Sequence, residues 1–553
     1  MIPRLMSLFA FCLLLASPAP AQDLPHSWSE SYGDSYEQRV ESVSVDDSGN
    51  IIIAGYFANS VNLGGGTLYS SGGYDIFLAK FDPDGSHLWS RKFGTIGDQK
   101  AFSVDVLSSG YILLGGCFET SIDFGAGNHV SAGGYDAFVA KFTPGGVTYW
   151  SNSYGDASHD FCRAVGNGNG GMTYLVGDFA GSINLGGGAL TSAGGFDLWV
   201  AMLDGSSGTH LWSRRFGDSN DQFAFGLTGH PQGPVAITGY TYGSIDFGGG
   251  PLPYGGGADA FIASFDFLGA YRWSRMMGDA SSQYGMAVAF HNGSMSVVAT
   301  GQFLGSVDAG GGIMTSAGSV DIYLAEYSAS GGHLWSRRFG GAGADYPRSV
   351  STDLFGNIAL AGFFEGTSQF GGDFLVSAGS FDAFVSTYDT DGNHSTSQRA
   401  GDSGEQNGLD LFYEDDGDIV MVGKFEGSVD WGGGPLVSAG DFDIFLVKFG
   451  STTDIINDIP SDTRLHFRAF PSPGARSANI VYSLPRSGSV RLDAHDIQGR
   501  WLGTLVDGYQ QAGEHMVALS AGAGDGLPMS SGVILLRLIT GEESRVCKIV
   551  FVK

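Results

Sequence analysis

Between Arg39 and Phe93 the chain alternates apolar and polar positions in four bursts. The first is 39-RVESVSV-45, followed by the turn-like 46-DDSGN-50; the second is 51-IIIAGYF-57. A glycine-rich excursion, 60-SVNLGGGTLYSSGG-73, leads to 75-DIFLAKF-81, and 82-DPDGS-86 then gives 87-HLWSRKF-93. Runs of this length with period two predict strands. Asp-Gly and Ser-Gly-Asn turns tolerate positive φ, so they predict antiparallel hairpins between the strands.

The four bursts recur along the chain. A Trp marks the last one at Trp28, Trp89, Trp150, Trp212, Trp273 and Trp335, and Thr396 fills the next slot; the spacings are 61 or 62 residues. Asp75, Asp136, Asp197, Asp259, Asp321, Asp382 and Asp443 keep the same beat at the head of the third burst. Four strands in each of seven units of about 60 residues describe propeller blades. The final unit stops at 443-DIFLVKF-449 without a fourth strand, and 26-HSWSESY-32 is a fourth strand without a unit. The expectation is therefore all-β: a seven-bladed β-propeller over 22–449, whose N-terminal strand completes the last blade and removes the open edges. The Trp sites should be buried between blades, and the blade with Thr396 should be the loosest.

After Phe449 the periodicity stops. Residues 450–464 are polar and read as a linker, and 465–553 show period-two runs broken by Gly and Pro, predicting a small Ig-like β-sandwich. Residues 1–21, with Arg4, the apolar 8-LFAFCLLLA-16 and 17-SPAPA-21, read as a secretory signal. No later run is long enough to predict a membrane span.

Charge narrows the partners. The net charge is −29, and from Ile455 onward 10 Lys+Arg face 9 Asp+Glu, so the acid excess precedes the tail. Such a surface disfavours nucleic acid and anionic membranes. Glycine, 90 of 553 residues, fits many short strands and tight turns rather than collagen or disorder. With the signal removed, Cys117, Cys162 and Cys547 remain, an odd count that is no disulfide framework; buried thiols are favoured over a Cys117–Cys162 bridge.

The unit's DxFxAKF strand, short D-G turn, W-S-x-x-F-G strand, G-D-x-x-x-Q linker and D-x-x-G-N turn resemble the bacterial β-propeller repeat family SBBP over residues 26–449. The resemblance implies extracellular or surface-associated repeats and no single activity. The tail resembles the FlgD-type Ig-like domain used for type IX secretion sorting. Its matching residues include Pro471, Pro473, Gly499, Arg500, Gly513, Gly532 and Lys553; Ser472 stands where that family usually has Asn. That resemblance implies export by type IX-like machinery and attachment at the cell surface.

Candidate chemistry is sparse. Gln38, Gln99, Asp160, Gln222, Gln283, Asp345 and Gln406 precede the first strands and could ring a channel mouth. Their presence in every unit favours the alternative, bonding backbone groups between blades. Asp75 and its equivalents read as caps of turn amides. His26, His87, His210, His333 and His394 sit at equivalent places in different units and so cannot converge on one metal. No cofactor is expected. Calcium stays open, although 82-DPDGS-86 and 389-DTDGNH-394 lack the Glu that closes an EF-hand loop.

The glycine runs lack the Lys-Ser/Thr of a phosphate loop, and no catalytic motif stands out. Units that differ by one residue in length argue against catalysis. The expected protein is secreted or cell-surface and non-catalytic, presenting repeated loops such as Leu68–Tyr69 and Leu252–Tyr254 to a glycan or protein partner. The alternatives are a polysaccharide hydrolase or lyase with paired acids and a structural surface-layer component.

Overall fold

The structure, a computed structural model, describes residues 24–107, 109–291, 294–415 and 417–450. Toward the C-terminus it describes 466–470, 477–484, 487–496, 500–511, 513–520, 532–540 and 544–551. The expected signal segment and residues 451–464 of the expected linker lie outside these. The chain divides into two compact units between Thr452 and Thr453.

The first unit is all-β and propeller-like. Its larger sheets are seven four-stranded antiparallel ones. Sheet 1 runs Gln38–Val45, Ile51–Asn62, Thr67–Phe81, His87–Phe93, from inner to outer strand. The inner strands of sheets 2 to 6 are Gln99–Val106, Asp160–Asn167, Gln222–Gly229, Gln283–Phe290 and Asp345–Thr352. Sheet 7 takes Gln406–Tyr413, Ile419–Phe425 and Asp443–Phe449 from the end of the array and His26–Tyr32 from its start. His26–Tyr32 pairs antiparallel with Asp443–Phe449, Ser29 opposite Val447. Each inner strand neighbours the inner strands on either side, and that of sheet 7 returns to that of sheet 1.

The glycine-rich excursions, expected as loops, carry strands of their own in every sheet but sheet 4. They are small hairpins such as Ser121–Asp123 with Asn128–Val130, or extensions of the main strands in sheets 1 and 6.

Second and third strands such as Ile112–Phe118 and Asp136–Phe142 are buried along their whole length. The core lies between sheets. Val40, Ile53 and Phe77 of sheet 1 pack with Leu409, Val422 and Leu446 of sheet 7, while Ala54 and Leu78 pack with Leu114 and Phe138 of sheet 2. Each buried Leu, Ile or Phe contributes about 1.5–3 kcal/mol as an upper estimate. Losing either neighbour would therefore expose a whole face.

The Trp slots tie one sheet to the next. The indole N–H of Trp28 donates to Pro83 O at 3.1 Å, and that of Trp89 to Pro144 O at 3.2 Å. In each case the acceptor is in the turn before the next sheet's outer strand, and a Cβ on Gly85 or Gly146 of that turn would press on the indole. Burial is less complete than the sequence suggested. Trp150 and Trp273 are 9% and 6% exposed, whereas Trp28, Trp89, Trp212 and Trp335 stay half-buried and pack against the edge of the core. Thr396 now has a physical reason: the next sheet is sheet 7, whose outer strand comes from the N-terminus. It has no such turn for a Trp to cover.

The His positions are explained in the same way. A Cβ on Gly65 would overlap the His87 ring, and the same holds for Gly187 with His210, Gly311 with His333, Gly372 with His394 and Gly433 with His26. In sheet 2 the equivalent pair is Ala126 and Thr148. A smaller partner stands where the glycine is lost.

The second unit has a three-stranded sheet, ordered His466–Phe470, Ser477–Leu484, Gly513–Ser520, and a four-stranded one, ordered Trp501–Gln510, Gly488–Asp496, Gly532–Thr540, Ser544–Phe551. Ile480, Tyr482, Leu492 and Leu536 share its core. No helix among the described residues is long and apolar enough to cross a membrane.

Candidate functional site

The polar ring that could have lined a channel mouth is sealed. Gln38, Gln99, Asp160, Gln222, Gln283, Asp345 and Gln406 are all 0% exposed. Each latches the connection entering its own sheet. Gln283 accepts from Asp279 N at 3.2 Å and donates to Asp279 Oδ1 at 2.7 Å and Ser306 O at 3.0 Å. Gln406 repeats this with Asp402 Oδ1 at 2.9 Å and Glu426 O at 2.7 Å. These residues face the connecting loop and the root of the excursion, not the channel.

Where Asp replaces Gln, only the accepting half of the latch survives. Asp160 accepts from Asp156 N at 3.1 Å and lies beside Asp156 and Asp136. Burial, followed by those neighbouring carboxylates, pushes its pKa up to about 8. Burial also raises Asp345, to about 6, although Ser368 donates to it. The Asp75 series sits alongside. Asp75 accepts from Ser71 N at 3.0 Å and pairs with Lys92 at 2.8 Å, and Arg215, Arg338 and Arg399 do the same for Asp197, Asp321 and Asp382.

What faces the channel is three residues further along each inner strand. In every sheet the register between the inner and second strands slips once, so that two inner-strand residues oppose one. Val40 pairs with Gly55 and Ser42 with Ala54, leaving Glu41 as the extra residue. The same bulge recurs at Phe102, Arg163, Phe225, Met286, Arg348 and Leu409. Opposite it stands Gly55, Gly116, Gly177, Gly239, Gly301, Gly362 or Gly423, where a Cβ would run into the carbonyl oxygen of the residue two before the bulged one. A bulge turns its side chain out of the ladder, and all but Leu409 are half-buried.

The residue after the bulge steadies some neighbouring sheets. Val104 N donates to Ser42 Oγ at 3.2 Å, Val165 N to Ser103 Oγ at 3.2 Å, and Val43 N to Asp410 Oδ2 at 2.9 Å. The last bond joins sheets 1 and 7.

The inner strands enclose a cavity of about 560 Å³ lined from all seven sheets, with the bulged residues in its wall. Cations pair with rings and carboxylates beside the starts of the inner strands. Lys100 lies 5.0 to 5.7 Å from the centres of Tyr56, Tyr74 and Tyr135, and Lys424 lies 3.6 Å from that of Phe442. Arg39 pairs with Glu41 at 2.6 Å, and Arg163 makes a forked pair with Asp178 at 2.7 and 3.1 Å. Each of these cations is matched by a carboxylate, Lys100 by Asp98 at 3.2 Å and Lys424 by Glu405 at 3.7 Å. Sequence reading missed this ring, yet a glycine inside every second strand was its signal.

One outer site breaks the repeat. Asp46 pairs with Lys80 in sheet 1 and Glu414 with Lys448 in sheet 7, at 2.7 and 2.8 Å. In sheet 5 the polarity is reversed: His291 Nδ1 meets Glu326 at 3.0 Å, and the Trp335 indole is diverted to Glu326 at 2.7 Å. A cavity of about 530 Å³ there is lined by Trp335, Leu334, Leu354 and Phe355.

Other candidates are structural in placement. Asp82 accepts from Asp84 N and Ser86 N at 3.1 and 2.7 Å, the pattern of a turn, and the described residues hold no metal-ligating group of three. Cys117 and Cys162 are buried free thiols, and burial pushes Cys117 up to about 12. Tyr69 and Tyr254 on the excursions are 69% and 41% exposed. Pro471, Pro473, Gly499 and Lys553 of the tail motif lie outside the described residues; Arg500 is exposed, and Gly532 opens a strand.

Fold and channel together define a β-propeller repeat protein. The SBBP β-propeller repeat family matches residues 334–362, from the outer strand of sheet 5 to the second strand of sheet 6. An uncharacterized WD repeat-containing protein of Acanthamoeba polyphaga mimivirus is 21% identical over 511 residues, covering 72% of this chain and 36% of that protein. Sqt1 from Chaetomium thermophilum is similar in structure at a TM-score of 0.37 and 10% identity, covering 77% of this chain and all of that one. PorZ of Porphyromonas gingivalis, a surface component of its type-IX secretion system, gives a TM-score of 0.21 at 11% identity over 93% of this chain and 81% of that one.

Proposed function

We propose that residues 24–450 are a seven-bladed β-propeller that works without catalysis, outside the cell, by binding a glycan or protein at its channel. The excursions, with Tyr69 and Tyr254 exposed, widen the contact surface. The C-terminal unit is an Ig-like sandwich of the FlgD type, serving export or surface attachment through a type IX-like machinery.

One observation carries the binding role. Scaffold positions repeat from sheet to sheet, whereas the bulged ring reads Glu41, Phe102, Arg163, Phe225, Met286, Arg348 and Leu409. Seven-fold structure with an asymmetric lining suits an asymmetric ligand. Glycan arrays and pull-downs with cell-wall material, run on the intact chain and on Phe225→Ser/Met286→Ser, test it. Ligands lost in the double variant are expected; blank arrays and pull-downs, or retention of every ligand, would refute it. Mass spectrometry of the secreted product tests the C-terminal role.

A further inference from the structure

Two bulge positions carry arginine, and their surroundings differ. Arg163 is neutralised within its own sheet by Asp178 and lies 4.2 Å from the centre of Phe161. The place of Asp178 is taken in sheet 6 by Phe363. Arg348 therefore lies over a ring, 5.5 Å from its centre, with no carboxylate among the described residues at ion-pairing distance. Its Nε is shut off from solvent and has no hydrogen-bond partner. Glu41 is the carboxylate that acts on it through space, and Arg39 holds Glu41 at 2.6 Å. Burial correspondingly lowers the pKa of the Arg348 guanidinium.

The Arg348 side chain is half-buried; a buried donor without a partner, as its Nε is, is costly, and a guanidinium fork with no carboxylate on it matches a planar carboxylate. Arg348 also forms part of the wall of the cavity of about 560 Å³, alongside Phe102, Phe225 and Met286. That space takes the end of a chain rather than a folded domain, and flat apolar faces suit a sugar ring. The geometry points to a carboxylate subsite at Arg348 that receives a uronic acid unit of an acidic glycan. This rests on the channel being where ligand binds.

The test is calorimetric titration of the full chain with glucuronate, glucose and an acidic dipeptide, alongside thermal melts. Glucuronate should bind and glucose should not. Arg348→Gln should weaken glucuronate roughly 10- to 100-fold, and Arg348→Lys should fall between. Without ligand, Arg348→Gln should melt no lower than the parent, whereas a guanidinium serving only the fold would lower the melting temperature when removed. Glucuronate binding unchanged in Arg348→Gln, preference for the dipeptide, or no binding at all would overturn the subsite. A neutral glycan lost in Phe225→Ser/Met286→Ser but kept in Arg348→Gln would sink the subsite and leave channel binding standing.

Discussion

Gln222 and Phe225 sit three residues apart on one strand, and their counterparts around the ring behave in opposite ways. The Gln222 series is Gln in five sheets and Asp in two; the Phe225 series holds an acid, two arginines and four apolar residues. The first is sealed and bonded to the connection entering its own sheet, while the second stands out of the ladder toward the channel. Constancy here follows from contacts that cannot be re-made, and divergence from their absence. A repeat protein keeps what holds neighbours together and is free elsewhere.

The largest expected effect falls on the backbone of the bulge itself. Gly239→Ala pushes a methyl into the carbonyl of Phe223, which cannot retreat. A loss of about 3 kcal/mol in denaturant unfolding is expected, whereas Phe225→Ser should stay within about 1 kcal/mol. Equal losses would break the comparison.

Asp160 sharpens it, being a departure within the constant ring. Its folded pKa of about 8 stands above that of an ordinary carboxylate. The native state therefore holds the proton more tightly, and the stability contributed is full at low pH and lost as pH rises through about 8. Asp160→Gln, restoring the majority residue, should stabilise by roughly 2 kcal/mol at pH 7. The gain should vanish below about pH 4. Melts at several pH values check this, and a gain independent of pH would contradict it.

Smaller still is the glycine–histidine pair. Gly65→Ala should cost about 1–2 kcal/mol, and adding His87→Thr should recover most of it, since Ala126 and Thr148 already coexist in sheet 2. A double-mutant cycle with no coupling would refute the pairing. Thr396→Trp should change stability by less than about 0.5 kcal/mol, because no turn lies beneath it. A clear gain there would mean the slot was merely unfilled.

Much of the array was legible in the chain. Period-two runs, Asp-Gly turns and the unpaired 26-HSWSESY-32 placed the strands and the pairing of the first with the last. The hairpins within the excursions were not legible, since Gly-rich strands of two or three residues carry no periodicity. The Gln38 series bonds the connection entering each sheet, and the residues in the cavity wall stand three further along. A bulge depends on the register between two strands, and along the inner strand it shows as a single slipped beat, Val40 to Val43 before Val45. The glycine across the ladder, as in 51-IIIAGYF-57, is the plainer record. Arg348 was equally hidden: its lack of a partner depends on Phe363 standing where sheet 3 has Asp178.

The separation of scaffold from lining can be measured without knowing any ligand. Each residue of the Gln222 series and each of the Phe225 series would be truncated to Ala, and melting temperatures compared in one buffer. The latch truncations should fall well below the parent, apart from Asp160, while the bulge truncations cluster around it. Two overlapping distributions would mean that the lining is part of what holds the ring closed, and the division proposed for this molecule would be wrong.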